Sequence, residues 1–192
     1  MEPNTPTQVK NIAFDKSGYY STILIFLVLL GFWPTFFSKY INGTADFGAY
    51  FHFHGAMATA WIGLLIIQPI LIRKKKRALH IAVGRLSYVI LPLFFASVIL
   101  LKHHTLGGVV TETLGASLWI QVKDLVIIGV MFTIAIVNRR NMPVHARAMI
   151  ATGVVFIEPA LVRFFINVVF PDNIPAAFGA TMLMEYGLMI GL

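Results

Sequence analysis

Residues 50–104 read YFHFHGAMATAWIGLLIIQPILIRKKKRALHIAVGRLSYVILPLFFASVILLKHH, two long apolar runs divided by the basic cluster Arg73, Lys74, Lys75, Lys76 and Arg77. A helix that crosses ~30 Å of hydrocarbon needs ~20 apolar residues. The runs from His54 to Ile72 and from Ile81 to Leu101 approximate that length with one charge at most. The cluster is then the loop of a transmembrane hairpin. Because Lys and Arg concentrate in cytoplasmic loops, it lies inside and sets the direction of the whole chain. His52, His54, His103 and His104 fall at the outer edge of this hairpin and His80 at its inner edge.

Composition agrees with a membrane solvent. Apolar residues make up 58% of the 192, charged residues 12%, and the mean hydropathy is +0.80, values too apolar for a soluble domain of this size. The net charge of +7 does not point to nucleic acid, since the basic residues sit in short loops beside apolar runs, where they set topology and meet anionic headgroups. Cysteine is absent, which excludes disulfides, thiolate metal sites and cysteine nucleophiles. No phosphate-binding glycine loop, G-x-S-x-G, H-E-x-x-H or calcium-loop pattern occurs, so NTPase, serine hydrolase and zincin chemistry have no support.

Outward from the hairpin, the pattern predicts an all-α bundle of six transmembrane helices over 19–40, 52–72, 81–102, 114–137, 144–170 and 176–192. A cytoplasmic tail precedes them over 1–18, and both termini are inside. The first apolar run is followed by Trp33, Pro34 and Phe36 and not by a small-residue cleavage site, so it reads as a retained helix kinked at Pro34 and not as a signal peptide. Arg139 and Arg140 form a second basic loop that agrees with the first. Of the fifteen Lys and Arg, only Lys39 and Lys102 fall in or beside outer loops. The expected location is the inner (cytoplasmic) membrane, with the lipid bilayer as the first partner. Gly55, Gly63, Gly84, Gly129, Gly153, Gly179 and Gly187 read as sites of close helix packing.

The motifs His54-Gly55, Trp61, Gln68-Pro69, His80 with Gly84-Arg85 and Tyr88, and His145 with Met149 and Arg163 resemble those of a family of predicted bacterial multi-span membrane proteins of unknown function. That resemblance covers most of helices 2 to 5 and carries no chemistry. More loosely, the chain is similar to the ascorbate-reducible transmembrane di-haem cytochromes b, which have six spans and axial histidines on helices 2 to 5. This likeness implies haem b and electron transfer, with His54, His80 and His145 on three of the four ligand helices; His80 and His145 would form the inner bis-histidine site, and at the outer edge His54 or His52 could meet His103 or His104. Helix 4 has no histidine, a departure that leaves the outer site without its expected partner.

Physically, a bis-histidine haem needs two imidazoles at equal depth on different helices, and His80 and His145, each at the inner end of a span, meet that rule. Histidines at membrane edges are also ordinary interfacial residues. A second constellation lies deeper: Lys123, Asp124, Glu158, Arg163 and Glu185 interrupt apolar spans. A charge near the centre of a span costs ~2.5–3.5 kcal/mol on insertion scales, so such residues face the bundle interior and pair, or line a path for ions. Ser117, Gln121 and Asp124 recur at helical spacing as a polar stripe, while Lys123, turned ~100° from Asp124, addresses another neighbour. Glu158 precedes Pro159, which frees a backbone carbonyl within the helix. Three roles follow: a haem-b electron carrier, a small-solute or proton-coupled transporter working through the buried charges, or a structural or assembly protein held by an ion-pair network.

Overall fold

The computed structural model describes residues 17–107, 114–171 and 173–191. Among them 87% are helical and none is in a strand. The elements are α1 (Ser17–Phe32), a π-helical segment (Trp33–Phe37), α2 (Ser38–Ile41), α3 (Ala49–Arg73), α4 (Arg77–Gly84), α5 (Ser87–Leu106), α6 (Leu114–Val137), α7 (Met142–Val155), α8 (Ile157–Phe164), a second π-helical segment (Phe165–Val169) and α9 (Ile174–Gly191). They compose six helical rods, five of them long and apolar enough to cross a membrane and the sixth a shorter apolar helix over Ile174–Ile190.

The expected spans match these rods, but two of them are interrupted. Arg85 and Leu86 divide the third into α4 and α5, and Phe156 divides the fifth into α7 and α8. Proline explains the second break: Pro159 has no N–H to give the Val155 carbonyl, and its ring crowds that carbonyl, so the regular ladder ends one turn before it. The first break has a tertiary cause. The Gln68 side chain of α3 enters the ladder of α4, its amide nitrogen donating to the His80 carbonyl at 3.1 Å and its oxygen accepting from Gly84 N–H at 2.8 Å. Pro34 lies inside the first π-helical segment, where a kink is expected.

Packing follows chain order. α3 lies along α5, α6 along α7, and α1 against both α3 and α8, with α9 closing on α7 and α8. Trp61, fully enclosed, centres the core with Ile62, Leu64, Leu65, Leu91, Phe94, Ile128, Val155 and Phe156. Phe94 stacks on Phe156 at 4.9 Å, and Trp61 meets Phe132 edge-on at 5.7 Å. Large apolar side chains also cover the outside, among them Phe26, Trp119, Val126, Val137, Leu183 and Ile190, where a soluble protein shows scattered ones.

Backbones approach closely at glycines other than most of those expected. A Cβ built on Gly31 of α1 would overlap the Ala160 carbonyl of α8, and one on Gly153 would lie 2.9 Å from Leu65 Cδ1. Gly55, Gly63, Gly179 and Gly187 face open space instead. Lys75, at φ 57, takes the left-handed conformation that lets α3 reverse into α4 within three residues.

Candidate functional site

Two polar constellations occupy the bundle, one at the end that carries the basic loops and one in its interior. At the loop end, the first turns of α7 and α4 bring His145 and His80 together, their ring centroids 6.5 Å apart and their planes nearly perpendicular. His145 Nδ1–H donates to the Ala135 carbonyl of α6 at 2.8 Å, which leaves Nε2 bare. His80 is held differently: its Nδ1 accepts from the Gln68 amide, so its proton sits on Nε2.

The outer histidines do not pair. His54 Nδ1 bonds Ser97 Oγ at 3.1 Å and its ring packs on Phe94, whereas His104 lies against the Tyr50 ring at 5.0 Å. Depth is the reason. His104 is seven residues beyond Ser97 on α5, about 10 Å along the helix at 1.5 Å per residue, so His54 and His104 stand at different levels. His52, similarly, bonds Tyr40 Oη at 3.1 Å.

In the interior, α6, α8 and α9 each contribute acidic groups. The Lys123 ammonium of α6 donates to Glu158 Oε2 of α8 at 2.5 Å. It also lies 3.0 Å from Asp124 Oδ1, but off the line a hydrogen bond needs, so that oxygen is held by charge alone. Lys123 thus addresses both Asp124 and a second neighbour. Glu158, in the first turn of α8, is 2% exposed. On α9, Ala177, Thr181 and Glu185 recur every four residues and are fully enclosed. Thr181 satisfies itself by donating to the Ala177 carbonyl at 2.9 Å; Glu185 has no such outlet.

Its two oxygens, together with Glu158 Oε1 and Asp124 Oδ1, are buried without a hydrogen bond. Glu185 nevertheless faces Glu158, near enough for side-chain hydrogen bonding, and feels the charges of Lys123 and Asp124. Ionised carboxylates only accept, so that contact becomes a hydrogen bond when a proton lies between the two groups. Three carboxyls share one ammonium, and a buried set of that composition is balanced by protons or by a further cation. Among the described residues no three His, Asp or Glu side chains converge closely enough to hold a metal ion.

Compared with protein-family models, with curated proteins and with solved structures, the chain matches none. The site is therefore read from its own geometry. Arg163 stands apart from the acidic group. Five residues from Glu158 it points ~140° away around α8, donates Nη1–H to the Pro159 carbonyl at 2.8 Å and lies over the Phe32 ring at 4.4 Å. Of the expected polar stripe, Gln121 and Asp124 are half-buried, and the Ser117 side chain lies outside the described residues. Composition alone had marked Glu158 and Glu185 as costly; the contact between them was not visible, because it depends on how α9 is rotated about its axis.

Proposed function

We propose that this chain is a multi-pass protein of the cytoplasmic membrane that binds and passes a proton at Lys123, Asp124, Glu158 and Glu185, as a proton-coupled carrier of a small solute. The enclosed Glu185 carboxyl, unpartnered and facing Glu158, carries this reading. Support also comes from the break between α7 and α8 beside Glu158. Interrupted helices supply both binding groups and hinge points in membrane carriers. Infrared spectroscopy of the purified protein tests it directly. A protonated carboxyl has a distinct carbonyl band that shifts in heavy water, and Glu185→Gln is expected to remove or shift it. A wild-type spectrum with no such band sinks the proposal.

Orientation follows from charge. Arg73, Lys74, Lys75, Lys76, Arg77, Arg139 and Arg140 all adjoin the end marked by His80 and His145, which the positive-inside rule assigns to the cytoplasm together with both termini. Because the chain has no cysteine, labelling is simple. A single Cys at Lys75 is expected to resist an impermeant thiol reagent in intact cells, and one at Thr105 to react; the reverse pattern inverts the topology.

His80 and His145 favour a second reading, a haem-b electron carrier. His145 fits iron ligation, its Nδ1–H given to a backbone carbonyl and its Nε2 bare, in the manner of metal-bound histidines. His80 fits only after its proton moves from Nε2 to Nδ1, which requires the Gln68 amide to turn over. Bound there, haem would supply one-electron chemistry. Protein produced with ample haem is then expected to show low-spin Soret absorbance that His145→Ala abolishes. Colourless, iron-free wild-type protein ends this reading and leaves the proton site untouched.

A further inference from the structure

The Arg163 guanidinium is a charge within an apolar rod that meets no acid among the described residues. Among the described residues the ion pairs at hydrogen-bonding distance both belong to Lys123. Arg163 makes one hydrogen bond, to a carbonyl of its own helix, and one ring contact, although a guanidinium offers five N–H donors in a fixed fork. The titratable group whose ring feels its charge is His54, and that group is no anion. Ser97 spends its hydroxyl proton on the Phe94 carbonyl at 2.6 Å and so accepts from His54 Nδ1–H. The imidazole therefore carries a proton on Nδ1 and can be neutral or cationic but never anionic, so the guanidinium has no counter-charge among the described residues.

A second observation marks the same place. α1 and α8 each pass into a π-helical turn immediately beyond the Phe32–Arg163 contact, Trp33–Phe37 on one side and Phe165–Val169 on the other. Such turns are rare and concentrate at functional sites. Asn167, within the second, is exposed and donates its side-chain amide to the Arg163 carbonyl at 2.7 Å. Phe32 gives the place one aromatic wall.

We infer that Arg163 is the anchor of a binding site for the carboxylate of a small organic acid, held two-pronged by the guanidinium with its apolar part against the Phe32 ring. Its role as the carried solute rests on the proton-carrier reading; its binding does not. Glu158 and Arg163 stand at opposite ends of the eight-residue α8, so one movement of that short helix displaces the proton site and the acid site together. The acid pairs with Arg163 and the proton removes one charge from the carboxyl set, so the loaded bundle has the same net charge as the empty one but fewer unpaired buried charges.

Thermal unfolding of the full chain in detergent, titrated with sodium benzoate or sodium lactate against sodium chloride at equal ionic strength, tests the inference. Saturable stabilisation by the organic acids is expected, with affinity at least ~tenfold weaker in Arg163→Gln and about tenfold weaker in Arg163→Lys, whose point charge cannot form the two-pronged contact. If Arg163→Gln fails to fold, Arg163→Lys decides. Stabilisation no greater than chloride gives, an equal effect of inorganic phosphate, or wild-type affinity in Arg163→Lys overturns the site. The infrared band of Glu185 is read separately. Its presence without acid binding removes the acid site alone, and its absence with acid binding removes the proton site alone.

Discussion

Lys123→Ala is expected to cost about 3–5 kcal/mol of stability, the range seen when one partner of a buried ion pair is removed. The expectation rests on composition as much as on distance. Lys123 is the one cation set against Asp124, Glu158 and Glu185, so its loss leaves three carboxyls with none. Adding Glu158→Gln to Lys123→Ala is expected to recover most of the loss, because it removes the buried acid that Lys123 contacts most closely and leaves an amide that can donate to Glu185. Adding Asp124→Asn recovers less, since the Asp124 side chain is 19% exposed against 2% for Glu158. Denaturant titration in mild detergent measures all three. A Lys123→Ala protein within about 0.5 kcal/mol of wild type, the tolerance of an ordinary surface site, would mean that water reaches the cluster and that its charges need no partner.

Gly31→Val is the second large effect, expected to cost about 3 kcal/mol or to prevent assembly outright. The Cβ itself is the obstacle, because it would overlap the Ala160 carbonyl, a backbone atom that cannot rotate aside. Gly31→Ala is therefore expected to fail almost as badly, although alanine is the better helix former by up to ~1 kcal/mol. Gly55→Ala supplies the contrast. No atom lies within 4 Å of its added Cβ, so propensity acts alone and the variant is expected to be neutral or slightly more stable. Yield and midpoint of thermal unfolding in detergent read both. Equal tolerance at Gly31 and Gly55 would show that α1 and α8 do not touch there.

Long apolar runs are legible in the sequence, and helices lie on them: the run over 114–137 falls on α6, and 52–72 lies within α3. Hydropathy was silent on rotation about each axis. Gly31 sits in a run, LVLLGFW, in which every position is apolar, and nothing in that run marks the side that meets α8. The pairing of His80 with His145 was legible, since both adjoin basic loops and depth follows from the span limits. The outer pairing failed on the same criterion, once α5 extended to Leu106 and carried His104 two turns beyond Ser97. Pro159 announced the break at Phe156. No residue within α4 announced the one at Arg85, because its cause is Gln68, on another helix.

That glutamine has a bearing on assembly order. Its amide replaces a peptide in the ladder of α4, joining positions only twelve and sixteen residues downstream, His80 and Gly84. Contacts so local cost little chain entropy and form quickly. The α3–α4 reversal can thus close while α6 to α9 are still being synthesised. The carboxyl cluster, by contrast, needs α9 and is completed only after α9 has been made. A nascent chain halted after Leu106 would already carry its α3–α4 reversal fixed in register, before the carboxyl cluster exists.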